Sequence, residues 1–282
     1  MADLVSEQPV PARPTEPELV ARRRAQENVP RHRFGIAYLI LAACVGAAVG
    51  LAVVAATRDD GSEKPGAAWS AWRPVATGTL GVREIARYIA PQYRLSNGGQ
   101  LVSVVAGPMV VPSEGGLLPV SAILIRSGKA GVASERIDVD FPQAGVFYQM
   151  CGTGQQCAIP GTATAVRGQL VRREALELAL YTFRYLPEAD NVLVFLPPPQ
   201  GVDANDPNFH RLVFLPRAAL SSELSLPLKT SLPPGTTTMT PARLSSSQAR
   251  VVDDVTAPRT FHYEFQQAAD QSVFVVLSPL VS

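Results

Sequence analysis

The sequence predicts an α+β fold: a single N-terminal transmembrane helix, followed by an extracytoplasmic mixed domain with two main helices packed on largely antiparallel strands. Three observations support this prediction. An uncharged run of 24 residues occupies positions 34–57. The 225 residues after it are enough for one sizeable domain or two small ones. Within them, segments of helical and of strand periodicity come in mixed order, which is typical of α+β proteins.

The uncharged run at 34–57 predicts a helix that crosses a membrane. At 1.5 Å per residue a helix of this length spans roughly 36 Å, which is enough to cross a hydrocarbon core of about 30 Å with some tilt. A helix that is apolar all round has no side suited to water, whereas lipid accommodates it. The lipid bilayer is therefore an expected partner of this chain.

The positions of the basic residues predict the orientation of this helix. Five arginines lie in the 12 residues before it, and three basic residues follow it within 20 positions, interspersed with acidic ones. Basic residues near a membrane stay on the cytoplasmic side. We therefore expect a chain in the plasma (inner) membrane, with its N-terminus in the cytoplasm and residues 58–282 extracytoplasmic.

The remaining segments follow from composition. Residues 1–33 carry five prolines and few large apolar side chains, which predicts a disordered cytoplasmic tail. Residues 58–69 form a polar linker. Residues 70–282 form the outer domain, and an alternative is two subdomains that divide near residue 160.

Two other fates of the apolar run stay open. Residues 54–56, Val-Ala-Ala, offer a cleavage site, although the run exceeds the usual signal-peptide core of about 7–15 residues. Residues 41–44, Leu-Ala-Ala-Cys, resemble a bacterial lipobox, in which the cysteine is lipidated. Twelve further apolar residues follow Cys44, whereas a lipoprotein turns polar there. We favour an uncleaved anchor.

Small residues lie on one face of the predicted transmembrane helix. Ala42, Gly46 and Gly50 recur every four positions. This spacing lets two such helices approach closely, so a homodimer through this face is one hypothesis. The alternative is that glycine and alanine are simply common in membrane helices.

The charge balance argues against nucleic acid as a partner. Residues 58–282 carry 19 basic and 19 acidic side chains, which leaves no basic footprint for a phosphate backbone. Arginine outnumbers lysine by 22 to 3, and alanine and proline are abundant. We attribute this bias to a GC-rich, bacterial genome.

The first part of the outer domain predicts one helix and four strands. Thr79 is a candidate N-cap for a helix that ends before Pro91. Its expected apolar face consists of Val82, Ile85, Ala86 and Ile89. The expected strands are 100–106, 119–126, 137–141 and 146–150, and in the third of these apolar residues alternate with aspartates.

The second part predicts a long helix and four more strands. The helix covers 168–186 and keeps one polar stripe, formed by Arg173, Glu177 and Arg184. Two continuous apolar runs are expected as central strands, and a hairpin closes the chain. The runs are 193–197 and 212–216, the hairpin strands are 260–267 and 272–277, and residues 221–247 are expected to be irregular.

Cys151 and Cys157 predict a disulfide. A cysteine pair outside the cytoplasm is more often bonded than free. Redox pairs are usually Cys-x-x-Cys, and a zinc site needs more ligands than these two residues supply. The sequence predicts no cofactor and no metal centre.

Two pairs of side chains are the candidates for chemistry. His262 and Glu264 share one face of a strand, a geometry that can serve acid–base catalysis. Asp138 and Asp140 share a strand face that can hold a divalent metal. Solvated strand faces produce the same patterns without any site, and we favour that interpretation for both pairs.

The sequence carries no Gly-x-Ser-x-Gly, Ser-x-x-Lys or His-Glu-x-x-His motif and no phosphate-binding glycine loop. We therefore expect a membrane-anchored binding, assembly or scaffolding protein of the bacterial cell envelope, with an envelope protein as partner. The alternatives are an envelope enzyme with a non-standard site that uses His262, Glu264 or the Asp138 and Asp140 pair, and a sensor that dimerises through Gly46 and Gly50. A pocket that gathers the polar groups would favour the enzyme.

Overall fold

The computed structural model describes residues 68–113, 116–127, 136–141, 145–203, 206–233 and 238–280. They belong to one compact unit, Ala67–Ser282. In this described part of the chain, no helix is both long enough and apolar enough to cross a membrane. The predicted tail, the predicted transmembrane helix and nearly all of the linker lie outside the described residues and stay predictions.

The described residues contain nine strands and five α-helices. The strands are β1 Ser103–Gly107, β2 Val110–Ser113, β3 Gly116–Ser127, β4 Arg136–Asp140, β5 Gly145–Cys151, β6 Asn191–Phe195, β7 Arg211–Pro216, β8 Thr260–Gln267 and β9 Val273–Pro279. The helices are α1 Gly78–Ile89, α2 Ala165–Tyr185, α3 Ser221–Ser225, α4 Leu228–Ser231 and α5 Ser246–Thr256.

All nine strands belong to one sheet. Hydrogen-bonded neighbours follow the order β1-β5-β6-β7-β8-β9-β3-β2, and β4 pairs with β3 as an additional edge strand. The β5–β6 and β3–β9 pairs are parallel, and the other six pairs are antiparallel. The continuous apolar runs form β6 and β7 in the interior of this order, and β8 and β9 form the terminal hairpin.

The sheet curls on itself. Asn191 Nδ2, at the start of β6, donates a hydrogen bond to Asp140 Oδ2 on β4 at 2.6 Å, although four strands lie between β6 and β4 in the sheet. The structure is therefore a mixed α/β domain with a curled sheet and a few helices, which agrees with the predicted class in outline.

Each face of the sheet contributes to a separate hydrophobic core. Alternate residues of a strand point to opposite faces, so the continuous apolar sequences of β6 and β7 supply both. The concave core contains Phe147, Leu193, Phe195, Leu212, Phe214, Val275 and Leu277. The outer core contains Tyr148, Met150, Val192, Val194, Val213 and Leu215, which are covered by α1 and α2.

Helix α1 matches its predicted apolar face. All four expected residues are buried, and Arg83 and Arg87 are exposed. The N-cap is Thr77 and not the predicted Thr79. The first turn of the helix begins there, because the Gly81 amide donates a hydrogen bond to the Thr77 carbonyl at 3.2 Å. A Cβ at Gly81 would lie 2.5 Å from the Ala76 carbonyl oxygen, so glycine permits this close start.

Helix α2 lies deeper in the domain than its predicted polar stripe implies. Its N-cap is Thr164, whose hydroxyl accepts a hydrogen bond from the Arg167 amide at 3.2 Å. Arg184 is exposed, as expected. Arg173 and Glu177 are buried, so that part of the prediction is wrong. Tyr93 and Leu232, which lie outside α2, contact these two side chains on the face that periodicity assigns to water.

Residues 221–247 are not wholly irregular, because they contain α3, α4 and the start of α5. Helix α5 begins with a complete capping box: Ser245 Oγ accepts from the Gln248 amide at 3.3 Å, and Gln248 Oε1 accepts from the Ser245 amide at 3.1 Å. The Ser-x-x-Gln spacing is visible in the sequence and is the signal that the expectation of irregular structure overlooked.

Candidate functional site

An open groove lies between the start of α1, the β1–β2 turn, the beginnings of β3 and β5, and the residues that follow α2. Its volume is about 530 Å³, within the range of roughly 300–1,000 Å³ that is usual for ligand sites. We call it the apolar groove. Its apolar wall residues are Val82, Met109, Val120, Val146, Phe147 and Leu186. Thr79 and Glu188 are its polar residues.

The β1–β2 turn keeps the apolar groove open. Gly107 ends β1 opposite Phe147 of β5, and Pro108 follows it. A Cβ built on Gly107 meets no atom within 4 Å. The missing side chain therefore leaves space in the groove, and a larger residue at this position would fill that space.

Arg217 fixes the wall of the groove that follows α2. Its guanidinium donates to the carbonyls of Phe183 at 2.7 Å, Leu186 at 2.8 Å and Ala189 at 2.8 Å. It also lies 4.9 Å from the centre of the Phe183 ring. The last carbonyls of a helix lack intrahelical donors, so a cation here satisfies them and complements the helix dipole.

A buried acidic cluster, formed by Tyr93, Arg173, Glu174 and Glu177, lies between α2 and the loops that cover it. The Tyr93 hydroxyl donates to the Glu177 carboxylate, and Arg173 Nη2 donates to the Leu232 carbonyl at 3.1 Å. Glu174 is fully buried, and neither of its carboxylate oxygens has a hydrogen-bond partner among the described residues.

Burial controls the ionisation of this cluster. Burial raises the pKa of Glu174 well above its usual range, and the nearby Glu177 charge raises it further. Burial also raises the pKa of Glu177, against the opposing effects of the Tyr93 hydrogen bond and Arg173. The pKa of Tyr93 is raised by burial and then by Glu177. A protonated Glu174 avoids an unpaired charge in the core.

A smaller pocket of about 210 Å³ lies at the other end of α2. We call it the arginine pocket, because Arg167, Arg172 and Arg211 line it. No acidic residue is among the described residues that line it. Residues 197–199, three consecutive prolines, form one wall, and Ile159, Val171 and Phe209 complete its apolar surface.

The structure places the predicted His262 and Glu264 on the outer face of β8. His262 is half-buried and lies opposite Arg211 on β7, whereas Glu264 is exposed and lies opposite Val276 on β9. Neither residue lines the apolar groove or the arginine pocket. Their roles stay untested.

The predicted Asp138 and Asp140 lie on the edge strand β4. Asp140 accepts hydrogen bonds from Asn191 and from the Phe141 amide at 2.8 Å, and Asp138 is exposed. Within the described ranges, no group of three or more His, Cys, Asp or Glu side chains is arranged to hold a metal. The apolar residues that alternate with these aspartates point to solvent, and Val139 is 55% exposed.

The Sγ atoms of Cys151 and Cys157 lie at disulfide distance, as predicted. Their loop is tight: a Cβ at Gly152 would lie 2.2 Å from the Ala158 carbonyl oxygen, so only glycine fits. The predicted helix-packing residues Ala42, Gly46 and Gly50 lie outside the described residues. Cys44, the candidate lipidation site, also lies outside them.

Sequence patterns do not reveal the groove, Arg217 or the partner of Glu177. Gly107-Pro108 signals only a turn, and Arg217 resembles any basic residue after a strand. The chain matches no protein-family model, no curated protein and no solved structure.

Proposed function

We propose that this chain is a single-pass, membrane-anchored binding or assembly protein of the bacterial cell envelope. In this proposal residues 34–57 anchor it in the plasma (inner) membrane with the N-terminus in the cytoplasm. The α+β domain is displayed outside, where it holds an apolar segment of an envelope protein. The apolar run, the basic residues before it and the cysteine pair support this compartment.

The apolar groove is the observation that carries the binding role. Its walls come from five separate parts of the chain, and Arg217 holds one of them in place through three carbonyls. A largely preformed concave site with apolar walls and few polar groups is typical of binding sites. Thr79 and Glu188 then orient the bound segment through hydrogen bonds.

Filling the groove tests this proposal. A photoreactive residue placed at Thr79, an exposed position in the groove wall, is activated in living cells that carry the full chain. We expect it to form an adduct with one defined envelope protein. Gly107→Phe should abolish that adduct, because the phenyl ring occupies the groove.

The matched control is Gln266→Phe, which adds the same ring to an exposed position of β8 that does not line the groove. This variant should keep the adduct. Thermal unfolding of each variant confirms that the domain stays folded. The proposal fails if no adduct forms, or if the two variants reduce it equally.

A further inference from the structure

Two of the three arginines in the arginine pocket have no carboxylate partner in the described part of the chain. Arg172 donates to the Asp253 carboxylate, which pairs its charge. Arg167 and Arg211 have no carboxylate within ion-pair distance among the described residues. Arg167 is only 9% exposed, and burial lowers the pKa of its guanidinium. A largely buried cation without a counter-charge is costly, and a bound anion would offset that cost.

The Arg167 side chain is held in position by the polypeptide. Its Nη1 atom donates to the carbonyls of Pro160 at 2.9 Å and Gly161 at 3.1 Å. These carbonyls follow the loop that the Cys151–Cys157 pair closes, and the Gly161 amide donates to the Gln200 side chain. The guanidinium is therefore oriented before any ligand arrives, which lowers the cost of binding.

The other parts of the pocket add positive potential from two directions. Arg211 is exposed at the first position of β7 and adds its charge from one side of the pocket. From the other side, helix α2 begins directly after Thr164, its N-cap and a residue of the pocket wall, and the helix dipole adds to the positive charge there. Residues 58–282 carry equal numbers of basic and acidic groups. The three arginines therefore make the pocket locally positive in a domain that is not basic as a whole.

We propose that the arginine pocket binds a small oxyanion, either a phosphate group or a carboxylate. Both groups accept the paired N–H donors of a guanidinium, and the pocket supplies two guanidinium groups without a carboxylate partner. Its volume of about 210 Å³ accommodates such a group with a short apolar continuation against the three prolines. The site is distinct from the apolar groove, with which it shares no lining residue.

Calorimetric titration of the full chain in a neutral detergent tests this site. The titrants are inorganic phosphate and acetate, at an ionic strength held constant with chloride, so that screening does not change. We expect saturable binding of at least one of them, and the tighter one identifies the anion class. Arg211→Gln should weaken this binding about tenfold to a hundredfold, which is the range for one hydrogen bond to a charged group.

The matched control is Arg83→Gln. Arg83 is also exposed and has no side-chain partner in the described residues, but it lies on α1 and lines neither site. Binding should be unchanged in this variant. Absence of saturable binding of both anions would overturn the proposal. Equal weakening in both variants would also overturn it, because it would indicate only diffuse attraction to the net charge.

Discussion

Replacing Glu174 by glutamine should make the stability of the domain less dependent on pH. Glu174 is fully buried on α2, and neither carboxylate oxygen has a partner among the described residues. Burial, and then Glu177, raise its pKa well above the usual range. Glutamine has nearly the same shape and cannot ionise, so it removes the titration and keeps the volume.

The sign of the effect follows from linkage. The pKa of Glu174 in the folded state is raised above the unfolded value of about 4.3. The contribution of Glu174 to the free energy of unfolding is therefore fully present below that unfolded value. It is lost as the pH rises toward the folded pKa, by about 1.4 kcal/mol per pH unit. The glutamine variant should therefore lose less stability over this interval, by about that amount per unit.

Urea denaturation at a series of pH values measures this difference. The chain contains two tryptophans, and both report on the described domain. Trp69 packs edge-on against Tyr181 at 5.5 Å, and Trp72 stacks on Tyr88 at 4.1 Å. Their fluorescence thus follows unfolding of this domain in the full chain.

The matched control is Glu264→Gln, which makes the same chemical change at an exposed position. This variant should keep the pH dependence of the wild type. The reasoning about burial is refuted if Glu174→Gln and Glu264→Gln show the same slope of stability against pH. It is also refuted if the stability of the wild type rises between pH 5 and 7 relative to the Glu174 variant.

Two other substitutions test the packing of the domain. Arg217→Ala should lower the free energy of unfolding by about 3 kcal/mol, because three carbonyls lose a charged donor. Arg217→Lys should recover only part of this stability. If both variants are as stable as the wild type, Arg217 does not have this role. Cys157→Ser should lower the free energy of unfolding by about 2 kcal/mol, the loop-entropy estimate for a sequence separation of 6, and urea denaturation measures this change. If a reductant leaves the stability of the wild type unchanged, the disulfide is not formed.

Sequence periodicity predicts those elements whose environment repeats along the chain. After their first residues, Asn191 and Arg211, strands β6 and β7 are continuously apolar because both faces of the sheet are covered there, and that pattern is readable. The α1 face is readable for the same reason. The capping box of α5 is also visible, as Ser245 and Gln248, but only when it is given more weight than the Ser-rich composition around it.

Features that depend on distant contacts cannot be predicted in this way. Arg173 and Glu177 look like a water-facing stripe because periodicity says nothing about Tyr93 and Leu232, the distant residues that hydrogen-bond to them in the fold. Likewise, β4 alternates as a half-buried strand does, but the structure turns its apolar side chains to solvent. The apolar groove and the arginine pocket combine residues more than 30 positions apart, which no local pattern links.

The central claim is that the described domain is displayed outside the membrane by the apolar segment at 34–57. A fusion of the full chain, at its C-terminal end, to alkaline phosphatase and separately to green fluorescent protein tests this claim in living bacteria. Phosphatase folds only outside the cytoplasm, and the fluorescent protein does not fold when exported in unfolded form. We predict an active phosphatase and a dark fluorescent fusion, both sedimenting with membranes. A bright fluorescent fusion with an inactive phosphatase would contradict the account.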